Sequence, residues 1–335
     1  MPDDPADGEL TDGRPILRLG LAPVLLLGWN MAHGELLPFL APSLLAMLLA
    51  GSATRPTLKT LVGAIVLVSG VTWVMDLLFT GLAASPGSAW IILLALATLA
   101  FARLAQRPDD VPSTLTLIAA SLVVLLGQVA TGLGAALPWA MGHAVLQAAA
   151  ATLIAHALLP SPPRPEPARP GSPGATRADV VQAFGRSLAL VALLAMAIGL
   201  EDNSAVLVAL TGVAILASPV ETAARGQSGT LLLTNAVAAA LILPLLLVAA
   251  LRPDPLVLFP LALAGSLYMA SGLGMTGRRR VLARAGMPVL VALLGVLLPK
   301  AGAALPLLVD RLLTLGLVML YALAVLALLR PARAR

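Results

Sequence analysis

Apolar runs close to the length of a bilayer crossing follow one another along nearly the whole chain, separated by short polar turns. A helix rising 1.5 Å per residue needs about 20 residues to cross a hydrocarbon layer of about 30 Å. Lipid offers the backbone no hydrogen-bond partners, so each run must satisfy its own N–H and C=O groups. The pattern therefore predicts an all-α fold, a polytopic transmembrane helical bundle. Charge supports this: 11% of residues are charged, against roughly 25% in soluble domains.

Twelve spans are predicted, at 17–33, 36–52, 59–80, 87–105, 113–132, 138–159, 181–199, 203–218, 229–251, 255–275, 283–299 and 304–329. Between the sixth and seventh lies PSPPRPEPARPGSPGATR (Pro160–Arg177), too rich in proline for a helix and too polar for lipid. Take the N-terminus, every second loop, this linker and the C-terminus as one side of the membrane. Eighteen of the 21 Lys and Arg residues fall there, and only Arg252, Lys300 and Arg311 fall on the other. The positive-inside rule then predicts that both termini are cytoplasmic. It also accounts for the net charge of +5 without nucleic acid as a partner.

Part of the chain occurs twice. LLGQVATGLGAALP (Leu125–Pro138) returns 168 residues later as LLGVLLPKAGAALP (Leu293–Pro306), with eight of fourteen positions identical. Arg18 and Arg186, each opening a long apolar run, stand at the same offset. Six spans per half is an even number, so the halves enter the membrane from the same side and the repeat is parallel. The expected organisation is a disordered cytoplasmic tail (1–15), a first six-helix repeat (16–160), a cytoplasmic linker (161–180), a second six-helix repeat (181–330) and a basic tail (331–335). The acidic start (Asp3, Asp4, Asp7, Glu9, Asp12) does not read as a secretory signal. Abundant Arg beside only two Lys, Lys59 and Lys300, points to a GC-rich bacterial genome, and hence to the bacterial inner membrane.

Polar residues inside such spans are candidate functional groups. The second span of each half is short, and Leu36–Ser52 carries Pro38 and Pro42, where a missing donor can open a turn onto a cavity. At the repeat offset Ser43 matches Thr211, so a hydroxyl recurs. His143 and Arg311 also share one register, with Gln147 and Thr314 on the same helices. Together Ser43, Thr211, His143, Arg311 and Gln147 form the candidate substrate set, suited to a small organic anion. Asp76 and His143 are the candidates for proton coupling, since imidazole changes charge near neutrality. Asn30, His33 and Glu35 form a smaller polar group. Arg18 and Arg186 are expected to snorkel to headgroups, with the membrane lipids as partners, and His156 to sit at the interface.

Several chemistries find no support. There is no Cys, which excludes disulfides, thiolate metal sites and Cys nucleophiles, and no metal or other cofactor is expected. GLGMTG (Gly272–Gly277) matches G-x-G-x-x-G in letters only, since it ends a span and runs into three arginines. Neither a Walker A loop nor the H-E-x-x-H and G-x-S-x-G motifs occur. The chain is not expected to be an enzyme.

LPFLAPSLLAMLLA (Leu37–Ala50), the Arg18-led first span and the doubled six-span halves resemble the fusaric acid resistance and aromatic acid exporter superfamily, above all its compact bacterial members. The resemblance implies efflux of aromatic or other organic acids across the inner membrane. It also implies a periplasmic membrane-fusion protein as a possible partner. Plant malate channels of that superfamily form two-subunit pores from six-span halves, which a fused repeat would imitate. The long cytosolic domain of the larger exporters has no counterpart, because 160–180 is too short. The expected function is a transporter of small organic acids driven by proton motive force. The alternatives are a passive organic-anion channel and a non-transporting membrane scaffold.

Overall fold

A computed structural model gives the fold. It describes residues 13–35, 37–51, 58–81, 86–107, 110–129, 137–160, 177–198, 208–209, 211–213, 215–217, 221–251, 254–275, 278–299 and 304–329. The expected tails, most of the linker, the repeated loops ending in GAALP and the turn at 199–207 lie outside these residues. Eleven helices are defined: α1 (Arg14–Ala32), α2 (Leu40–Gly51), α3 (Leu58–Gly81), α4 (Pro86–Gln106), α5 (Val111–Val129), α6 (Leu137–Leu158), α7 (Arg177–Ala197), α8 (Glu221–Leu251), α9 (Pro255–Ser271), α10 (Arg278–Leu297) and α11 (Ala304–Leu328). Further helical residues lie between 208 and 216. Among the described residues there is no strand, so the fold is all-α.

Eight of these helices are long and apolar enough to cross a membrane. Shorter apolar stretches fall at Leu40–Ala50, Leu61–Val74 and Pro112–Leu125. Helix bounds follow the apolar runs except where polar turns extend them. α7 begins at Arg177, inside the expected linker, and α8 begins at Glu221, eight residues before the expected span. Helices continue through these polar residues because nothing there breaks them, whereas hydropathy registers only the lipid-facing part.

Exposure runs opposite to that of a soluble protein. Ile91, Leu99, Leu317 and Leu320 are each about two-thirds or more exposed, while Thr72, Ser121, Thr152, Ser187, Thr234 and Ser266 are fully buried. Where the solvent is hydrocarbon, apolar side chains lose nothing by facing outward and polar ones must find partners within the protein. Most of these hydroxyls bond a carbonyl one turn back, as Thr152 does to Ala148 O and Ser187 to Ala183 O. The chain is therefore a multi-pass membrane protein.

The helices gather into two compact units, and neither coincides with a sequence half. The first draws on 1–61, 143–166 and 230–309, the second on 62–142, 167–229 and 310–335. In the first unit α1 packs along α9 and α2, and α2 packs along α10. Small residues permit this approach: a Cβ on Gly20 would lie 2.7 Å from Leu267, and one on Gly28 would lie 2.9 Å from Phe259. Ser266 on α9 donates to Gly20 O, tying the same two helices. In the second unit α4 packs along α7 and α5, and Tyr321 on α11 donates to Ala189 O on α7 at 3.0 Å. Counted along the twelve expected spans, the first unit holds spans 1, 2 and 6 of the first half with 3, 4 and 5 of the second. The second unit holds the complementary set.

Candidate functional site

The polar cluster of the first unit is built by the end of α1. Gly34 adopts φ +67°, a left-handed conformation that costs a residue with a Cβ about 1–2 kcal/mol. Its N–H donates to Met31 O at 3.3 Å, and the Glu35 N–H donates to Asn30 O at 3.1 Å. This bond pair is a Schellman end, and it folds Glu35 back over Asn30. Asn30 itself lies on the buried stripe of α1, with Leu19, Pro23 and Leu27.

The start of α2 supplies the next link. Pro42 stands in its first turn and starts the helix instead of breaking it. A backbone N–H at that place has no intrahelical partner in any case, so the missing donor does not by itself open a turn onto a cavity. Just before the helix, Pro38 O accepts from Asn30 Nδ2 at 3.4 Å.

On α6, His143 and Gln147 are one helical turn apart and share a face. Gln147 Oε1 accepts from Asn30 Nδ2 at 3.1 Å, while Gln147 Nε2 donates to Glu35 Oε1 at 3.4 Å. His143 Nδ1 lies 3.4 Å from the same carboxylate oxygen. The string runs from the surface inward: His143 is 51% exposed, Glu35 28% and Asn30 1%. Only His143 and Glu35 can exchange a proton; the two amides tie that pair to the buried stripe of α1.

The predicted residues are thus partly brought together. His143 and Gln147 meet, on Glu35. Ser43 lies in the same unit and donates to Pro288 O at 3.4 Å, so its hydroxyl bonds a neighbouring helix. Thr211 belongs to the second unit and is buried. Asp76 falls on α3 and Arg311 on α11, with side chains outside the described residues. Of the smaller group, Asn30 and Glu35 join the cluster, whereas His33 donates to Trp29 O at 2.8 Å and stacks on the Trp29 ring at 4.0 Å. The link from Asn30 to Gln147 was not read from the sequence. Its signal was Asn30 at the apolar spacing of Leu19, Pro23 and Leu27, which marks a polar side chain aimed into packing.

Three expectations are corrected. Arg18 and Arg186 do not snorkel; each is only 4% exposed. Arg186 Nη1 donates to Leu216 O at 3.1 Å, a carbonyl in the last turn of the helical residues ending near 216, where helix carbonyls lack intrahelical donors. A cation is favoured at that end of a helix, which holds the guanidinium inside. Arg18 is likewise buried in the first unit. His156 is buried too, its Nδ1 on Thr152 O at 2.9 Å.

The second unit carries a cavity of about 340 Å³ at the turn between α4 and α5, lined by Arg103, Gln106, Arg107, Asp110 and Pro112. Among the described residues no group of three His, Cys, Asp or Glu side chains comes together. Comparison with protein-family models, curated proteins and solved structures finds no match for this chain.

Proposed function

We propose that this chain is a bacterial inner-membrane transporter that exports small organic acids, aromatic ones above all. Proton motive force is coupled through Glu35 and His143. The observation that carries the reading is the string His143–Glu35–Gln147–Asn30, which leads from a half-exposed imidazole to a fully buried amide. Ionisable groups within membrane spans are rare and often mark where charge or protons move.

The cluster presents a carboxylate, so the same atoms repel an organic acid. Contact with the anion is assigned instead to Arg311 and Thr211, with Asp76 as a further proton group. The same reading takes twelve spans as two parallel six-span repeats with both termini cytoplasmic. The complementary make-up of the two units supports it, since spans at the repeat offset fall into opposite units. A periplasmic membrane-fusion protein is proposed as partner on the resemblance alone.

Proteoliposomes loaded with benzoate test the reading. An imposed pH gradient should drive saturable flux, and Glu35→Gln should lower it by at least tenfold. Flux that ignores the pH gradient and fails to saturate identifies a passive channel, and absence of flux leaves a scaffold.

A further inference from the structure

The outward face of α4 ends on charge. Ile91, Ala95 and Leu99 stand four residues apart and are exposed, Ile91 to 68% and Leu99 to 66%. Leu93, Ala97, Phe101 and Leu104, on the opposite side, are buried. The same spacing of four continues to Arg103 and then Arg107, both exposed. The Arg107 N–H donates to Arg103 O at 2.8 Å, so the helical register holds one step beyond Gln106. At 1.5 Å per residue these two positions lie about 6 and about 12 Å past Leu99 along the axis. Where the outward side chains of a span change from leucine to arginine, hydrocarbon gives way to headgroups.

The cavity of about 340 Å³ opens at this depth, with both arginines in its wall beside Gln106, Asp110 and Pro112. The backbone closes tightly under it: the Asp110 N–H donates to Arg107 O at 3.0 Å, and the Thr114 N–H donates to Asp110 O at 3.2 Å. The Asp110 carboxylate accepts from the Ser113 hydroxyl in the first turn of α5, which fixes its place in the wall. Two guanidiniums and one carboxylate leave one positive charge among the described lining residues, the match of a single phosphodiester. A guanidinium fork holds two phosphate oxygens at once. Gln106 Nε2 is tied to Ala102 O at 3.3 Å, and its oxygen, like the Asp110 carboxylate, is an acceptor for hydroxyl groups.

We propose that this cavity seats the headgroup of a monoanionic phospholipid of the phosphatidylglycerol type. Arg103 and Arg107 hold the phosphate, and Gln106 and Asp110 accept from the glycerol hydroxyls. A soluble phosphate ester shares the headgroup chemistry, but only a lipid also has acyl chains to lie along Leu99, Ala95 and Ile91. Basic pockets between spans are a known setting for anionic headgroups. The inference needs the chain to lie in a membrane and does not depend on transport.

The full-length protein in a neutral detergent is titrated with phosphatidylglycerol, phosphatidylethanolamine, phosphatidylcholine or glycerol 1-phosphate. Bound lipid is counted by native mass spectrometry, and thermal stability is recorded alongside. Phosphatidylglycerol should be retained in preference to the other three, and Arg103→Gln and Arg107→Gln should each weaken its binding by about fivefold, as expected for one basic group at an anionic lipid surface. Both side chains are exposed, so the fold should survive their loss. Arg103→Lys, which keeps the charge and loses the fork, should recover part of the affinity. Equal retention of the three lipids overturns the site. So does an equal loss in Arg279→Gln, an exposed arginine of α10, since it would show diffuse attraction to basic residues in general. Glycerol 1-phosphate binding as tightly as the lipid overturns the lipid assignment and makes the cavity a soluble-phosphate site.

Discussion

The two units share a frame and differ in what the frame holds. Each contains the first span of one sequence half, and each of those spans buries one arginine near its start, Arg18 in the first unit and Arg186 in the second. The offset between them is that of the doubled GAALP segment. The same offset carries Asn30 onto Ile198 and Gln147 onto Leu315, which is buried and apolar. The hydrogen-bonded string of the first unit therefore has no counterpart of its kind at these positions. Its His143 falls opposite Arg311. What recurs is a buried arginine in the first span of each half, and what differs is the polar chemistry, which is where a specialised site is expected.

The largest effect concerns the frame itself. Because the chain has no Cys, a pair introduced at Phe39 and Gly295, where an added Cβ meets the Phe39 Cβ, gives a clean reporter. After oxidation and cleavage at a protease site inserted in the linker, the two halves should stay joined on a gel. Two separate bands would break the picture of units shared between halves.

Function comes next. Glu35→Ala should reduce proton-coupled flux by at least tenfold, equivalent to about 1.4 kcal/mol, while Asn203→Ala, at the matching offset, should change it less than twofold. Equal losses would place working groups in both units and end the asymmetry.

Arg186→Met leaves the buried Leu216 carbonyl without its donor and should lower stability by about 1–3 kcal/mol. Arg18→Met should cost a similar amount, read as the midpoint of thermal unfolding in detergent. A clear inequality between the two would show that the arginines do different work. Asn30→Leu removes two hydrogen bonds and should cost about 1–2 kcal/mol, against about 0.5 kcal/mol or less for Ile198→Leu. Gly34→Ala should cost about 1 kcal/mol for the left-handed backbone. Its coupling defect should exceed its stability loss, because Glu35 is carried away from Asn30.

Much of this was legible in the residues. The apolar helices were, because the length of an apolar run is a local property and lipid rewards it directly. Glu35 and Asn30 were legible as polar exceptions, and His143 and Gln147 as a pair one turn apart. Arg18 and Arg186 were read as snorkelling because they open their spans. Whether a guanidinium reaches headgroups or a helix end depends on what lies beside it, and Leu216 is 30 residues from Arg186.

By itself, then, the sequence determined the class of solvent, the helices, the doubled register and the list of polar residues that lipid would not tolerate unpartnered. Only the tertiary structure decided that α1 lies on α9 and α4 on α7, across the two halves, and that Asn30, Glu35, His143 and Gln147 form one string. The reason is physical. Helix periodicity states which face is buried but not against which neighbour, and hydrocarbon makes almost any apolar neighbour acceptable. The choice falls to small residues such as Gly20 and Gly28 and to single hydrogen bonds such as Ser266 to Gly20 O, whose partners stand some 240 residues apart in the chain.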